Sequence, residues 1–200
     1  MLGKTHLAIG MAAALALIRP DTPAECFTAL ISGTVGGVLA DMDTIRTDRR
    51  KGATQVHTFA AVMTAALLML DSVLDTGLCA EIAQQNFNTI VAGTILFALL
   101  WVFGLCSDHR SFSHSLCAVC LFTWAVNMIC PQMSRAFLTA YASHLVLDLL
   151  NKRSLKLFYP LDNGICFGVF YSNRKANKIF LYAGCLISAF FIIRVWIPMI

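Results

Sequence analysis

Charge is what this sequence is short of. Asp, Glu, Lys and Arg make up 13% of its 200 residues, against roughly a quarter in soluble domains. A chain so poor in ions cannot cover a water-facing surface, which argues against an ordinary soluble protein. Its five prolines are few, and those at 20, 23 and 131 fall between apolar runs, where they act as breakers. Also missing are a phosphate-binding glycine loop, a dinucleotide fingerprint, a nucleophile elbow and an HExxH zinc motif. Those gaps remove the familiar nucleotide-binding, serine-hydrolase and zincin chemistries. The basic clusters carry no recognisable nucleic-acid motif, so nucleic acid is not an expected partner. There is no internal repeat and no low-complexity stretch.

What is present is apolar: 58% hydrophobic residues and a mean hydropathy of +0.72. The expectation is one integral membrane domain over residues 1–200, an all-α bundle of about seven helices. Seven apolar runs carry it, over 5–18, 24–40, 57–74, 87–106, 113–130, 134–150 and 179–200. Crossing the hydrocarbon takes about 20 residues of helix, so the first run is short for a span. That first run contains His6, lacks a small-x-small cleavage site and is followed by more apolar segments, unlike a secretory signal. Most of the eight cysteines lie inside apolar runs, where Cys behaves as a small hydrophobe. Cys117 and Cys120 form a CxxC in the middle of such a run, a placement that favours packing over zinc or redox use.

Alternating the runs up and down tests the threading. Twelve of the fifteen basic residues then fall on the side of the N-terminus: Lys4, Arg46, Arg49, Arg50, Lys51, Arg110, Lys152, Arg153, Lys156, Arg174, Lys175 and Lys178. Arg19, Arg135 and Arg194 are left for the other side. The positive-inside rule makes the crowded side cytoplasmic. Anionic headgroups account for much of the Arg46–Lys51 and Lys152–Lys156 clusters, and membrane lipids are the expected surroundings. Between the last two runs, Leu157–Pro160 and Ile165–Tyr171 are β-prone and flank Asp162-Asn163-Gly164, which predicts a short cytoplasmic β-hairpin.

The same threading gathers all five histidines, His6, His57, His109, His114 and His144, with Asp41, Asp43 and Asp148, on that one side. Imidazoles and carboxylates collected at one end of a helix bundle are the ingredients of a hydrolytic metal site. His144 and Asp148 are four apart and share a helical face, either as metal ligands or as a hydrogen-bonded tether. His109 and His114 bracket a serine-rich loop in which Ser111 or Ser113 can cap the following helix, with His114 in its first turn. Arg110, between them, is either a phosphate clamp or a headgroup contact. Asp41 and Asp43 close a helix at its unfavourable C-terminal end, a placement that calls for a cation: a metal, Arg46 or Arg49.

These motifs carry a resemblance. Thr5-His6, Leu39-Ala40-Asp41-Met42-Asp43, His109-Arg110-Ser111-Phe112-Ser113-His114-Ser115 and Ser143-His144-Leu145-Val146-Leu147-Asp148 occur in the order seen in the YdjM-like membrane-bound metal-dependent hydrolases. The resemblance runs from about residue 1 to residue 180. Ala40 stands where that family has proline and Thr44 where it has histidine, a role His57 could take over. The family is distantly similar to the zinc-dependent phospholipase C and single-strand nuclease group. That likeness implies His6, Asp41, His114, His144 and Asp148 as ligands of one or two divalent ions, zinc first, manganese or iron next, with Asp148 bridging. His109 and Asp43 become further ligands or orienting groups.

The expected function is therefore metal-assisted hydrolysis of a phosphoester, lipid or lipid-linked by preference, at the cytoplasmic face. Asp43 is the expected proton acceptor, Arg110 the phosphate clamp and His109 a third catalytic group. The other classes are a divalent-cation transporter and a non-catalytic membrane binding protein that keeps the fold.

Overall fold

The computed structural model describes residues 2–46, 50–169 and 174–197. Among them are eight α-helices and no strand. The helices are α1 (Gly3–Ile18), α2 (Pro23–Leu39), α3 (Arg50–Leu74), α4 (Leu78–Ala83), α5 (Phe87–Cys106), α6 (Leu116–Ile129), α7 (Pro131–Leu149) and α8 (Arg174–Trp196). Two 3-10 segments, Ala40–Arg46 and Phe112–His114, follow α2 and precede α6. Four stretches are long and apolar enough to cross a membrane: Pro23–Thr44, Gly52–Leu74, Phe87–Cys106 and Arg174–Trp196. The expected helix number was one short. The added element is α4, which follows α3 after a brief turn at Asp75–Gly77.

The helix starts follow from local chemistry. Thr22 accepts a hydrogen bond from Glu25 N, and Pro23 occupies the first turn of α2, where its missing N–H costs nothing. Asn86 caps α5 through Asn88 N and Thr89 N. Ser115 caps α6 by accepting from Ala118 N. The cap is thus neither Ser111 nor Ser113. Ser111 Oγ donates to Asp108 O and Ser113 Oγ to Asp43, which leaves His114 in the 3-10 turn rather than inside the helix.

α2 is the buried centre, packed against α1, α3 and α7. Glycine sets its distance from α1. A Cβ on Gly10 would lie 2.6 Å from Gly37 Cα, and one on Gly37 would lie 2.8 Å from His6 O. The two backbones therefore touch, and His6 is pressed towards the end of α2. α3, α5 and α8 lie at the outside, with exposed Phe59, Val62, Leu99, Phe103, Leu186 and Phe190 facing where lipid would be.

The hairpin did not form. Leu155 and Ile165 make one isolated antiparallel bridge, with bonds of 2.9 and 2.8 Å. The neighbouring backbone groups are engaged elsewhere. Lys156 N donates to Arg110 O, Leu157 O accepts from Leu116 N, and Phe167 N donates to Leu149 O. The segment is a strap tied across the ends of α6 and α7. Part of the β-prone run, 170–171, lies outside the described residues.

Candidate metal centre

The predicted residues converge on one end of the bundle from four directions. His6 comes from the first turns of α1, and Asp41 and Asp43 from the 3-10 segment after α2. His109, Arg110 and His114 come from the α5–α6 connection, and His144 and Asp148 from the last turns of α7. Met42 keeps the two aspartates in place. It is fully buried and sits where a Cβ on Gly104 would collide with its sulfur, which anchors the segment to α5.

Among the described residues, two triads offer ligand atoms that all lie within 4.8 Å of one another: His6, His144 and Asp148, and Asp41, His114 and His144. His144 belongs to both. His6 Nε2 is 3.3 Å from Asp148 Oδ1, and the His6 and His144 rings stack at 3.7 Å. His144 Nε2 and His114 Nε2 stand 3.8 and 4.0 Å from the same Asp41 oxygen, and His114 Nε2 is 3.6 Å from Asp148 Oδ2. Both Nε2 atoms are buried and make no hydrogen bond. Such atoms are costly unless something binds them.

The opposite ring nitrogens explain why. His144 Nδ1 is 2.8 Å from Gly37 O. Since a carbonyl can only accept, Nδ1 carries the hydrogen and Nε2 turns its lone pair to the cluster. His114 Nδ1 is 3.2 Å from Asp43 Oδ2 and is held the same way. Backing a ligand histidine with a carbonyl or carboxylate is how metal sites fix tautomer and ring direction. Burial works against a charge on His114, and the carboxylates of Asp43, Asp148 and Asp41 outweigh it, so its pKa is raised above the ordinary value. The donor set, three imidazoles and two carboxylates, suits zinc and its neighbours.

Asp43, expected as a proton acceptor, a further ligand or an orienting group, has every contact of an orienting group. Its Oδ2 accepts from Arg110 N at 2.8 Å and Ser113 Oγ at 3.0 Å, and its Oδ1 lies 3.0 Å from His109 Nδ1. It orients two histidines and a backbone turn. Arg110, at φ 64°, is engaged within the site as well. Its Nη2 is 3.1 Å from Asp148 Oδ2 and its Nη1 donates to Arg153 O at 2.9 Å. His57 stays outside both triads and packs edge-on against Trp101. Ser113, expected only as a helix cap, instead holds Asp43, and Tyr141 went unnoticed in the sequence. Tyr141 is fully buried on α7, one turn before His144, and its hydroxyl donates to Ser113 O at 2.7 Å.

Above the cluster opens a cavity of about 650 Å³ whose walls include Asp41, His57, His109, Arg110 and Asp148, together with Lys4, Lys152 and Arg153. The eight cysteines are free, and Cys117 and Cys120 are exposed on α6.

A helical membrane protein with a buried His/Asp cluster of metal-ligating type is the class that this fold and site define. Over residues 1–199 the chain matches the YdjM inner membrane protein family, and it belongs to that family. No curated protein matches it, and no solved structure matches it.

Proposed function

We propose that this inner membrane protein is a metal-dependent hydrolase acting on a phosphoester at the cytoplasmic end of its helix bundle. The observation that carries the reading is the pair of buried Nε2 atoms on His114 and His144. Both lack a hydrogen bond, and both are backed by an acceptor at Nδ1. His6, Asp41, His114, His144 and Asp148 would hold one or two divalent ions, zinc by preference. A bound ion of this kind supplies a Lewis acid for a phosphoryl oxygen and lowers the pKa of water towards neutrality.

The chain's own residues supply the rest. Gly37 O and Asp43 fix the two histidines, and Arg110 braces Asp148. His109, paired with Asp43 through Nδ1, sits in the cavity wall, where it can pass a proton to or from the substrate. The overall change adds water across the P–O bond, giving phosphate and an alcohol. The basic rim draws an anionic ester inward.

The test is metal content of the detergent-purified protein beside a His144→Ala/Asp148→Ala variant. One or two equivalents in the wild type, absent from the folded variant, support the site and justify a phosphoester screen. No metal after reloading would sink it. Metal flux in proteoliposomes without hydrolysis would replace the enzyme by a transporter. The location of the cluster at one end of the helices, rather than at mid-bundle, favours the enzyme.

A further inference from the structure

The cavity has two unlike walls, and together they describe what carries the phosphate. One wall is basic. Lys4 at the start of α1 and Lys152 and Arg153 just after α7 line the cavity and are exposed, beside Arg110, which braces Asp148 and bonds Arg153 O. The other wall is α3, which contributes Gly52, Gln55 and Val56. From Gln55 the helical spacing i, i+4, i+7 leads to Phe59 and Val62, and all three are exposed. Phe59 and Val62 are 56% and 62% exposed on one of the least buried helices long enough to span a membrane. A continuous stripe therefore leaves the basic cavity and runs down the outer, apolar side of the bundle.

We propose that the cavity takes the terminal phosphate of a membrane lipid, held by Lys4, Lys152 and Arg153, with the lipid's tail lying along the Gln55–Phe59–Val62 stripe of α3. This deepens the phosphoester reading and rests on it for the cleavage step alone. A terminal phosphate monoester carries about −1.5 to −2 charges at neutral pH, whereas a headgroup diester carries one. Three cations above a cluster that would also hold a metal match the higher charge.

The full chain in detergent, metal-free and zinc-loaded, is offered phosphatidic acid, phosphatidylglycerol or inorganic phosphate, and retained ligand is read by native mass spectrometry. Phosphatidic acid is expected to be retained about tenfold over phosphatidylglycerol, the scale of one charge-assisted hydrogen bond. Lys4→Gln/Lys152→Gln, at two exposed positions, should erase that preference. Gly52→Trp should block the lipid and spare inorganic phosphate, because a Cβ at Gly52 meets nothing within 4 Å and the ring can cover the path from the cavity onto α3 while leaving the basic wall open. Should that variant not fold, Phe59→Ser at an exposed position carries the same arm. Equal retention of the two lipids, or a preference unmoved by the lysine substitutions, overturns the proposal. So does retention of inorganic phosphate without phosphatidic acid, which would point to a soluble ester. A lipid preference in protein that takes up no zinc upholds the lipid site and sinks the metal reading. Zinc uptake without the preference overturns the lipid site alone.

Discussion

Both ends of this bundle bury an aspartate, and the two are treated differently. At the far end Asp71, near the end of α3, is 1% exposed and fully occupied. Thr76 Oγ1 donates to it, as do Leu78 N at 3.1 Å and Cys79 N at 2.8 Å. Its work is to cap α4 and close the turn. At the other end Asp148 is equally buried, yet it faces His6, His114 and Arg110. Nε2 of His114 beside it, and of His144 next to that, make no hydrogen bond. A buried carboxylate surrounded by backbone donors is structural. One surrounded by imidazoles whose buried ring nitrogens lack hydrogen bonds is arranged for a ligand. Burial alone does not separate structure from function; the state of the neighbours does.

The comparison breaks most clearly if Asp148 is replaced. Asp148→Asn keeps the shape and removes the charge, so metal bound per chain should fall to near zero and hydrolysis with it. Chelation of the wild type should do the same reversibly. Bound ligand stabilises the folded state by linkage, about 2.7 kcal/mol at a hundredfold excess over Kd, so chelation should also lower Tm, and zinc should restore it. Asp71→Asn, by contrast, should leave metal content and its zinc response unchanged. If both aspartates affected metal alike, the two ends would not differ in kind.

Asp43 sharpens the picture within the site itself. Because it orients His114 and His109 instead of standing free, Asp43→Asn should weaken metal affinity by about 10–100-fold, as loss of such backing groups does. A general base behaves otherwise, with turnover falling about 10²–10⁴-fold while metal affinity holds. Zinc titration alongside turnover separates the two roles.

How much of this the sequence could show depends on the length scale of each cause. Hydropathy and the basic residues report on the bilayer, so the apolar helices and the end of the bundle at which each run terminates were legible. The structure places Arg194 against Asp21 and Arg135 beside Leu17 and Ile18, at the end away from the cluster. The gathering of His6, Asp41, His114, His144 and Asp148 followed from the same alternation, since each lies at a run end. The engagement of Asp43 and Arg110 was not legible. Their partners are a backbone N–H, a serine one loop away and an aspartate on α7, all brought together only by packing. The strap misled for a related reason. Asn163-Gly164 is a real turn signal, but helix ends competed for the flanking backbone groups and won. Asp71 attracted no reading because a capping carboxylate in an apolar run has no motif.

Smaller effects come from the frame rather than the cluster. Gly37→Ala would place a Cβ 2.8 Å from His6 O on the residue whose carbonyl orients His144. Overpacking of this kind costs about 1–3 kcal/mol, and here it should lower Tm and metal affinity together. Asp71→Ala leaves three donors without their acceptor and should cost about 1–3 kcal/mol, lowering Tm in metal-free and zinc-loaded protein by the same amount. Thermal unfolding with and without zinc distinguishes them. A frame defect at the far end shifts both curves equally, and one beside the site shrinks the gap between them.

The smallest effect belongs to Arg194. Its guanidinium lies 2.6 Å from Asp21, joining α8 to the α1–α2 turn at the far end. The distance suggests a strong tie, but the side chains are 48% and 74% exposed, and ion pairs in water are worth about 0–1 kcal/mol. Arg194→Gln should therefore move Tm barely, and less still in high salt, where screening removes what remains. Metal content and turnover should match the wild type. A large loss of metal from this change would mean that the two ends are coupled through α8, which packs on α1 and so on the helix that carries His6. The separation between a structural end and a ligand-binding end would then have to give way to a single cooperative unit.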